Sequence, residues 1–425
     1  MEPVRLIVLG AGSRGSQYAR YAQLHPEAAR IVAVAEPRDF QREQLAQQHG
    51  LSGDQVVRDW RALAERPRFA DGAIIATQDA MHAEPAIALA ERGYHILLEK
   101  PMAPSAAECR QIVAAVQRAG VIFAVCHVMR YTRYTQALKR LLDAGRVGTI
   151  VSMQHLEPVG FWHQAHSFVR GNWRNEALSS PMLLAKSCHD LDWIRYIMGR
   201  RCTQVSSFGS LRHFRASERP AGAADRCLEC AVEPACPYSA PRFYLGRVRA
   251  GLTGWPVDVI TTDRSEAGVL AALREGPYGR CVYACDNDVV DHQVVNMQFE
   301  DGATAAFTMT AFTRGRGRET HIFGTHGEIF GDGERVEVHD FLSGASETIE
   351  AGAGADGSIL SGHGGGDDGL MRSFVAALAR SDPGQILSGP DETLESHLMV
   401  FAAEQARHER RVVDLGDDAT DQPRH

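Results

Sequence analysis

The stretch VRLIVLGAGSRG, residues 4–15, decides the fold of the first part of the chain. Its first six residues form a short apolar run with β-branched side chains, which is typical of a fully buried strand. Gly10, Gly12 and Gly15 follow in the pattern G-x-G-x-x-G and open a helix that extends to about Leu24. Glycines at these spacings allow a tight turn, a close approach of the backbone to a pyrophosphate, and packing of the helix on the strand. The stretch therefore predicts the first unit of a dinucleotide-binding domain.

Further apolar runs follow this first unit. They lie at residues 31–35, 73–76, 95–98 and 121–125, with helical stretches between them. Strand, helix and strand in repetition predict a parallel sheet that is covered by helices on both faces. We therefore expect an α/β domain with a doubly wound Rossmann sheet over residues 1–125.

The end of the second strand indicates which dinucleotide is bound. Glu36 lies about 20 residues past Gly15, where a carboxylate accepts hydrogen bonds from an adenosine ribose. A carboxylate here repels a 2′-phosphate and favours NAD, whereas Arg38 could reverse that preference towards NADP. A glycine turn without a ligand is the alternative. The residues predicted to bind the cofactor in this region are Gly10, Gly12, Ser13, Arg14, Gly15, Glu36 and Arg38.

After residue 126 the hydrophobic pattern changes. A helix at about 134–144 ends at Gly145, and strands then follow at about 149–156, 203–208, 293–299, 303–309 and 319–323. The last two strands before residue 310 are joined at Asp301-Gly302, which is typical of a hairpin. We therefore expect an α+β domain with an open, mainly antiparallel sheet over residues 126–415, followed by a polar tail at 416–425.

Bulk composition excludes several classes of protein. A chain of 425 residues predicts two domains, and a net charge of −8 gives no reason to expect nucleic acid as a partner. No run approaches the roughly 20 apolar residues that cross a bilayer, and the N-terminus has no basic region or cleavage site of a signal peptide. We therefore expect a cytoplasmic protein with no membrane partner, in which the nine cysteines are thiols or metal ligands.

Residues 73–105, AIIATQDAMHAEPAIALAERGYHILLEKPMAPS, combine a T-x-x-x-x-H stretch with an EKP motif after a strand. Together with the glycine turn, this segment resembles the Gfo/Idh/MocA oxidoreductases, the glucose–fructose oxidoreductase, inositol dehydrogenase and rhizopine catabolism family. The resemblance implies that Lys100 lies beside the nicotinamide and polarises a substrate hydroxyl, with Pro101 in a cis or otherwise tight turn. It adds to the predicted cofactor residues Thr77, His82, Glu99, Lys100, Pro101 and Arg130.

The segment PMLLAKSCHDLDWIRYIMG, residues 181–199, resembles the helix that carries the acid–base histidine of the family. His189 matches that histidine, but Ala185 stands where the family has an aspartate. Lys186 lies three residues before His189 and shares roughly the same helix face, so it could enter the site instead. The predicted catalytic residues are therefore Lys100, His189 and Lys186, and the missing aspartate leaves the reaction type open.

Several polar and aromatic residues are candidates for binding a substrate. The turn after the fifth run, 126–131, touches the nicotinamide and substrate in the family, and the segment 160–175 places aromatic faces beside polar donors, which suits a sugar ring. The predicted substrate residues are His127, Trp162, His163, Trp173, Arg174, Asp291 and His292. Other candidates for the rim of the cleft are Asp286, Asn287 and the loop His363–Asp367.

A cysteine cluster, RCLECAVEPACPYS, contains Cys227, Cys230 and Cys236. C-x2-C with a third cysteine nearby resembles part of a structural zinc site, whose fourth ligand would come from Cys281, Cys285 or His213. An iron–sulfur cluster is the weaker interpretation, since the spacing fits neither common ferredoxin pattern. Three free thiols are the remaining alternative.

Three functions follow from these residues and the resemblance. The first is an NAD-dependent oxidoreductase that transfers a hydride at a ring CH–OH of a sugar, inositol or sugar derivative. The second is a redox-neutral glycoside hydrolase or lyase that oxidises, eliminates and re-reduces, on an acidic or sulfonated sugar glycoside. The third is a cofactor-binding sensor without catalysis, against which Lys100 and His189 argue. The resemblance also implies a homo-oligomer, a dimer or tetramer, that pairs through the open face of the second sheet.

Overall fold

The computed structural model describes residues 2–352 and 364–416. Its first sheet is built from six strands: β1 (Val4–Leu9), β2 (Ala29–Ala35), β3 (Val56–Val57), β4 (Gly72–Ile75), β5 (His95–Leu98) and β6 (Phe123–Val125). All are parallel and lie in the order β3-β2-β1-β4-β5-β6. This order is that of a Rossmann fold and confirms the predicted doubly wound sheet.

Helices cover both faces of this sheet: α1 (Ser13–Leu24), α2 (Asp39–His49), α3 (Arg61–Ala64), α4 (Ala83–Ala90) and α5 (Ala106–Ala119). Successive side chains of a strand point to opposite faces, so β1 contributes side chains to two hydrophobic cores. Leu6 and Val8 pack with α1, and Ile7 and Leu9 pack with α4 and α5. The run VRLIVL is apolar on both sides because both of its faces are buried.

The second sheet has nine strands: β7 (Ile150–Pro158), β8 (Cys202–Ser210), β9 (His292–Phe299), β10 (Thr304–Thr310), β11 (Glu319–Gly324), β12 (Gly327–Gly331), β13 (Arg335–Asp340), β14 (Ser346–Glu350) and β15 (Val413–Asp414). Their order is β14-β13-β12-β11-β7-β10-β9-β8-β15. β7 and β10 are parallel, and the other neighbouring pairs among the described strands are antiparallel. The predicted open, mainly antiparallel sheet is confirmed, and β12 to β15 are strands that the sequence did not predict.

The helices of the second half are α6 (Arg133–Asp143), α7 (Phe161–His163), α8 (Met182–Ala185), α9 (Cys188–Met198), α10 (Ala240–Arg249), α11 (Val257–Ile260), α12 (Glu266–Glu275), α13 (Gly366–Arg380) and α14 (Pro390–Glu409). α6, α9 and α14 contact this sheet, whereas α10, α11 and α12 pack with one another. α7 continues as a π-helix, Gln164–Arg170. Trp193 of α9 and Val400 of α14 enter the core beneath the sheet. No helix in the described ranges is both long and apolar enough to cross a bilayer, and the cytoplasmic location stays a prediction.

The position of α13 differs from the predicted division at residue 126. Its residues Leu370 and Phe374 pack in one core with Leu6 and Tyr18 of the Rossmann domain. α13 therefore completes a face of the first sheet, although it follows the second sheet in the chain. Periodicity gives the apolar face of a helix and not the sheet that it covers, so the sequence could not reveal this return. The predicted tail lies outside the described residues except for Gly416.

Candidate active site

The glycine turn after β1 lies at the carboxyl edge of the Rossmann sheet, where ligands bind in this fold. Gly10 has a φ of +88°, and a Cβ atom on it would lie 2.4 Å from the carbonyl oxygen of Ala76. A Cβ atom on Gly15 would lie 1.8 Å from the carbonyl oxygen of Gly10. Both positions therefore require glycine. The turn leads into α1 with Gly12 as its N-cap and no acidic residue in the first helical turn, which suits a phosphate.

Glu36 follows β2 and lies beside this turn. Its carboxylate accepts hydrogen bonds from the amide of Ala11 at 2.8 Å and from the Nε atom of Arg38 at 2.8 Å. Burial raises the pKa of Glu36, but these hydrogen bonds and the charge of Arg38 outweigh it, so the pKa is lowered. Glu36 is thus an ionised carboxylate at the position where a ribose would bind, and the residues of this region fit a dinucleotide.

The side chain of Arg14 is held by residues of the Rossmann domain and of α13. Its Nε atom donates to Oε1 of Glu99 at 2.7 Å, and its Nη atoms bind Tyr18 and Asp367 of α13. The guanidinium therefore ties α13 to the Rossmann domain. The predicted contact of Arg14 with a cofactor stays a prediction. Asp367, expected at the cleft rim, is buried in this ion network, and His363 lies outside the described residues.

The EKP motif forms the turn after β5, and the Lys100–Pro101 peptide bond is cis, as expected. Oε2 of Glu99 accepts a hydrogen bond from the amide of Lys100 at 2.6 Å. The ring of His82 lies between the carbonyl oxygens of Pro101 at 2.8 Å and Thr77 at 3.2 Å. His82 is fully buried, so we assign it to holding the motif in place and not to direct contact with a cofactor.

Lys100 reaches across the cleft into the second domain. Its Nζ atom donates to the carbonyl oxygen of Ala185 at 2.8 Å. Ala185 stands where the resembling family has an aspartate, so a backbone carbonyl contacts the ammonium there. His189, at the start of α9, is nearly buried, with 8% of its surface exposed.

Lys186 does not share a helix face with His189. α8 ends at Ala185 and α9 begins at Cys188, so the chain turns at Lys186. The two residues are therefore not on one continuous helix, and a spacing of three does not place their side chains on the same face. The Nζ atom of Lys186 lies 3.1 Å from Oε1 of Glu157. Lys186 therefore enters the site from a break between two helices and is paired with a carboxylate of β7.

A network of charged residues beneath the site was missed from the sequence. Glu157 pairs with Arg318 at 2.9 Å, and Arg318 also binds Asp190, whose carboxylate lies 3.2 Å from Nε2 of His155. Burial raises the pKa of Asp190, but the charge of Arg318 and the bond from His155 leave it well below its usual value. His155 and Glu157 occupy inward positions of β7 next to apolar Met153. Polar residues at alternate inward positions of this strand were the sequence signal that could have revealed the network.

His163 lies near the positive charges of Lys186 and Lys100. Burial lowers the pKa of its imidazole, and the charges of Lys186 and Lys100 lower it further, so the pKa lies well below the usual value. His163 is therefore neutral at neutral pH, and its surroundings oppose its protonation. Its neighbour Trp162 stacks on Phe243 with ring centroids 5.3 Å apart.

Several residues predicted to bind substrate or to line the rim of the cleft lie at or near the surface. Trp173 is exposed, and Arg174 pairs with Asp286 at 2.9 Å. Asn287 donates to the carbonyl oxygen of Phe214 at 2.9 Å. These residues form a surface beside the 161–170 helix.

Three predicted residues are closed off from a ligand. His127 and Arg130 are fully buried, and Arg130 donates to both carboxylate oxygens of Asp192 at 2.7 and 2.8 Å. Asp291 is also fully buried, and it accepts from backbone amides as well as lying 2.8 Å from the ring of His292. We therefore assign these three to holding the fold, because no surface remains for direct contact.

The cysteines also differ from the prediction. Cys227, Cys230, Cys236 and Cys281 line one cavity, whereas His213 hydrogen-bonds Tyr283 at 3.0 Å. Among the described residues, no three of these sulfurs lie within 4.8 Å of one another. A tetrahedral zinc with bonds of about 2.3 Å brings its sulfurs to about 3.8 Å, so this geometry does not support zinc.

Comparisons with known proteins agree with this arrangement. The model of an oxidoreductase family with an NAD-binding Rossmann fold, Gfo/Idh/MocA, matches residues 4–127, and that of the family's C-terminal alpha/beta domain matches residues 139–415. The chain is 31% identical over 209 residues to a 2,7-anhydro-N-acetylneuraminate hydratase of Mediterraneibacter gnavus, covering 49% of this chain and 53% of the relative. It is 32% identical over 201 residues to an inositol 2-dehydrogenase of Streptomyces avermitilis, covering 47% and 54%.

The chain thus spans about half the length of the curated relatives it matches. A solved structure, an oxidoreductase of Agrobacterium radiobacter in complex with NAD+, L-tartaric acid and magnesium, matches with a TM-score of 0.71 at 16% identity. That match covers 98% of this chain and 100% of the other, and it shows a shared fold.

Proposed function

This chain belongs to the Gfo/Idh/MocA oxidoreductase family, and we propose that it is an NAD-dependent oxidoreductase that acts on a CH–OH group of a sugar, an inositol or a sugar derivative. The observation that carries the proposal is the position of Lys100. Its ammonium extends from the carboxyl edge of the Rossmann sheet to the carbonyl oxygen of Ala185 in the second domain. Bound NAD would supply the acceptor and donor of a hydride in this cleft.

The residues around the turn favour NAD over NADP. Glu36 is ionised and buried beside the glycine turn, where it repels a 2′-phosphate. Arg38, which could attract that phosphate, is held by two hydrogen bonds from its guanidinium to the same carboxylate. The guanidinium of Arg38, which could reverse the preference for NAD over NADP, is therefore already bound to Glu36.

Proton transfer is assigned to His189 with Lys100. Lys100 donates to a neutral carbonyl, so its ammonium can also polarise a substrate hydroxyl. His189 would take the hydroxyl proton during oxidation. His163 is a second neutral imidazole near Lys100 and Lys186, but its lowered pKa opposes protonation, so no proton transfer is assigned to it.

The alternative function is a redox-neutral reaction, in which a sugar carbon is oxidised, a group is eliminated or water is added, and the carbon is reduced again. The Lys186–Glu157 pair favours it, because elimination needs an additional acid and base. The relative named as a hydratase is consistent with it, since adding water changes no net oxidation state. The ammonium of Lys100, which is held by a neutral carbonyl, suits an acidic or sulfonated sugar, whereas Lys186 and Arg318 are already paired with carboxylates.

A panel of sugars, inositols and glycosides tests both proposals. The protein is incubated with each compound and with NAD or NADP, while NADH absorbance and product mass are followed. A dehydrogenase forms NADH in proportion to product. A redox-neutral enzyme releases product without net NADH and exchanges solvent deuterium at the carbon next to the oxidised one. Turnover with neither pattern would contradict both.

We also propose that the chain forms a homo-oligomer through the open face of the second sheet. That face carries an open groove lined by Gln154, Asn296 and Phe323, with exposed Val151 and Phe330 on the same sheet. Light scattering should give a mass that is a multiple of 46.5 kDa. A charge at Val151 (Val151→Glu) should shift the mass towards the monomer, whereas a monomeric parent protein would contradict the proposal.

A further inference from the structure

Two tryptophans from distant parts of the chain lie side by side next to the cleft. Trp162 lies in α7, and Trp255 lies between α10 and α11, in the segment that connects β8 to β9. Their ring centroids are 5.6 Å apart. The ring of Trp255 also lies 5.1 Å from the ring of His163. The segment between β8 and β9 thus brings an indole ring to the helix that carries His163.

This tryptophan pair, Trp162 and Trp255, borders the proposed active site. α7 follows the end of β7, where Glu157 pairs with Lys186. Burial and the charges of Lys186 and Lys100 lower the pKa of His163, so its imidazole lies near both ammonium groups. Trp255 is therefore in contact with a ring at the cleft and does not belong to a remote surface.

The ring of Trp255 is available to a ligand. It is 43% exposed, and the rings of Trp162, His163 and His166 meet it at angles of 60°, 78° and 86°. No aromatic ring in the described part of the chain therefore stacks parallel on it. Neither indole N–H of the tryptophan pair has a hydrogen-bond partner among the described residues. The pair thus offers an apolar face together with two available donors.

The tryptophan pair is held in place from behind. The carbonyl oxygen of Trp255 accepts a hydrogen bond from Arg247 of α10 at 3.1 Å, and Val257, two residues further on, is buried in the core of this segment. Trp162 stacks on Phe243 of α10 with ring centroids 5.3 Å apart. Rings that are positioned in this way lose little conformational freedom when a ligand binds.

We propose that Trp162 and Trp255 form a subsite for a second ring of the substrate, a sugar or aglycone ring joined to the sugar that reacts at Lys100. The proposal rests on the proposed function, since it adds a ring to the substrate of the same cleft. The C–H face of a sugar and the face of an aromatic aglycone both pack on an indole, and ring hydroxyl groups accept hydrogen bonds from its N–H. Because His163 connects the pair to the cleft, the second ring belongs to the same ligand. The substrate class is therefore a glycoside with two rings.

Calorimetry on the full chain loaded with NAD tests the subsite. The probes are the methyl and phenyl β-glycosides of glucose, galactose and glucuronic acid, together with the disaccharides cellobiose and lactose. We expect a probe with two rings to bind roughly 3- to 10-fold more tightly than the methyl glycoside of the same sugar, the gain from one aromatic contact. A gain with phenyl glycosides alone identifies an aglycone ring, and a gain with disaccharides identifies a sugar ring. Equal affinities, or no binding of any probe, would overturn the proposal.

Variants of Trp255 test which ring gives this gain. Trp255→Ala should remove it, whereas Trp255→Phe keeps a flat ring and should retain most of it. Phe341→Ala is the matched control and should leave the gain unchanged, since Phe341 is 55% exposed and follows the end of β13 that lies away from Glu157. A gain that persists in Trp255→Ala contradicts the subsite. A lower mass of this variant in light scattering also contradicts it, because the ring would then lie between copies of the chain.

The subsite and the proposed function fail in different ways. NADH formed in proportion to product from sugars with one ring, without a gain from a second ring, refutes the subsite and supports the oxidoreductase. A gain from the second ring without any reaction in the sugar panel refutes the oxidoreductase and supports the subsite. Because the comparison of probes uses the parent protein, it decides the subsite even if Trp255→Ala fails to fold.

Discussion

At the scale of single residues, Lys100 is the most informative position. Its ammonium is held by a carbonyl oxygen at 2.8 Å, and its backbone amide is held by Glu99 at 2.6 Å. The side chain is thus placed from both domains before any substrate arrives. The EKP motif predicted this position from the sequence, but the partner on the opposite side of the cleft follows only from the fold.

Lys100→Met should remove the ammonium while keeping a similar length of side chain. We expect turnover on the substrate found in the panel to fall roughly 100- to 10,000-fold, the range for losing a group that assists proton transfer. NAD binding, measured by calorimetry, should stay within a few-fold because the glycine turn and Glu36 are untouched.

Lys139→Met is the control for this prediction. Lys139 lies on α6 and pairs with Asp143, away from the cleft. Its replacement should leave turnover unchanged. Activity that survives Lys100→Met would show that the active site is misplaced.

At the scale of elements, buried ion pairs join helices and turns that the sequence separates. Arg130, in the turn after β6, binds Asp192 of α9 and Glu392 of α14. It was predicted to touch the cofactor, but no surface of Arg130 is exposed. A charge in the interior needs its partners, so the fold uses Arg130 to fasten three elements.

Arg130→Met should therefore destabilise the protein, since it leaves Asp192 as a buried charge without its guanidinium. We expect a loss of about 3–5 kcal/mol in the free energy of unfolding, measured with urea. Adding Asp192→Asn should restore part of that loss. Exposed Arg140→Met on α6 should change stability by less than about 0.5 kcal/mol, and an equal loss in both single variants would contradict the assignment.

At the scale of the whole molecule, buried histidines make stability depend on pH. Burial lowers the pKa of His127 to about 3 and that of His166 to about 4. In the unfolded chain these groups titrate near their usual value of about 6.5. Between these values the unfolded chain binds more protons than the folded protein, so stability falls as the pH falls.

The free energy of unfolding should therefore decrease between pH 6.5 and 4.5, by up to about 1.4 kcal/mol per pH unit for each such histidine. Urea midpoints at several pH values measure it. His127→Leu should give a shallower slope, and exposed His326→Gln should keep the parent slope. Constant or rising stability towards pH 4.5 would contradict the burial of these rings.

The Rossmann sheet, the glycine turn with Glu36, the EKP motif and the mainly antiparallel second sheet could be predicted from the amino-acid sequence. These features are local, because a strand, a tight turn or a hairpin is encoded by the spacing of neighbouring residues. Three features became visible in the folded chain alone: α13 returns to the first sheet, Lys186 pairs with Glu157, and Cys281 lies with the cysteine cluster. Each of these is a contact between residues far apart in the chain, and such contacts leave no periodic signal in the sequence.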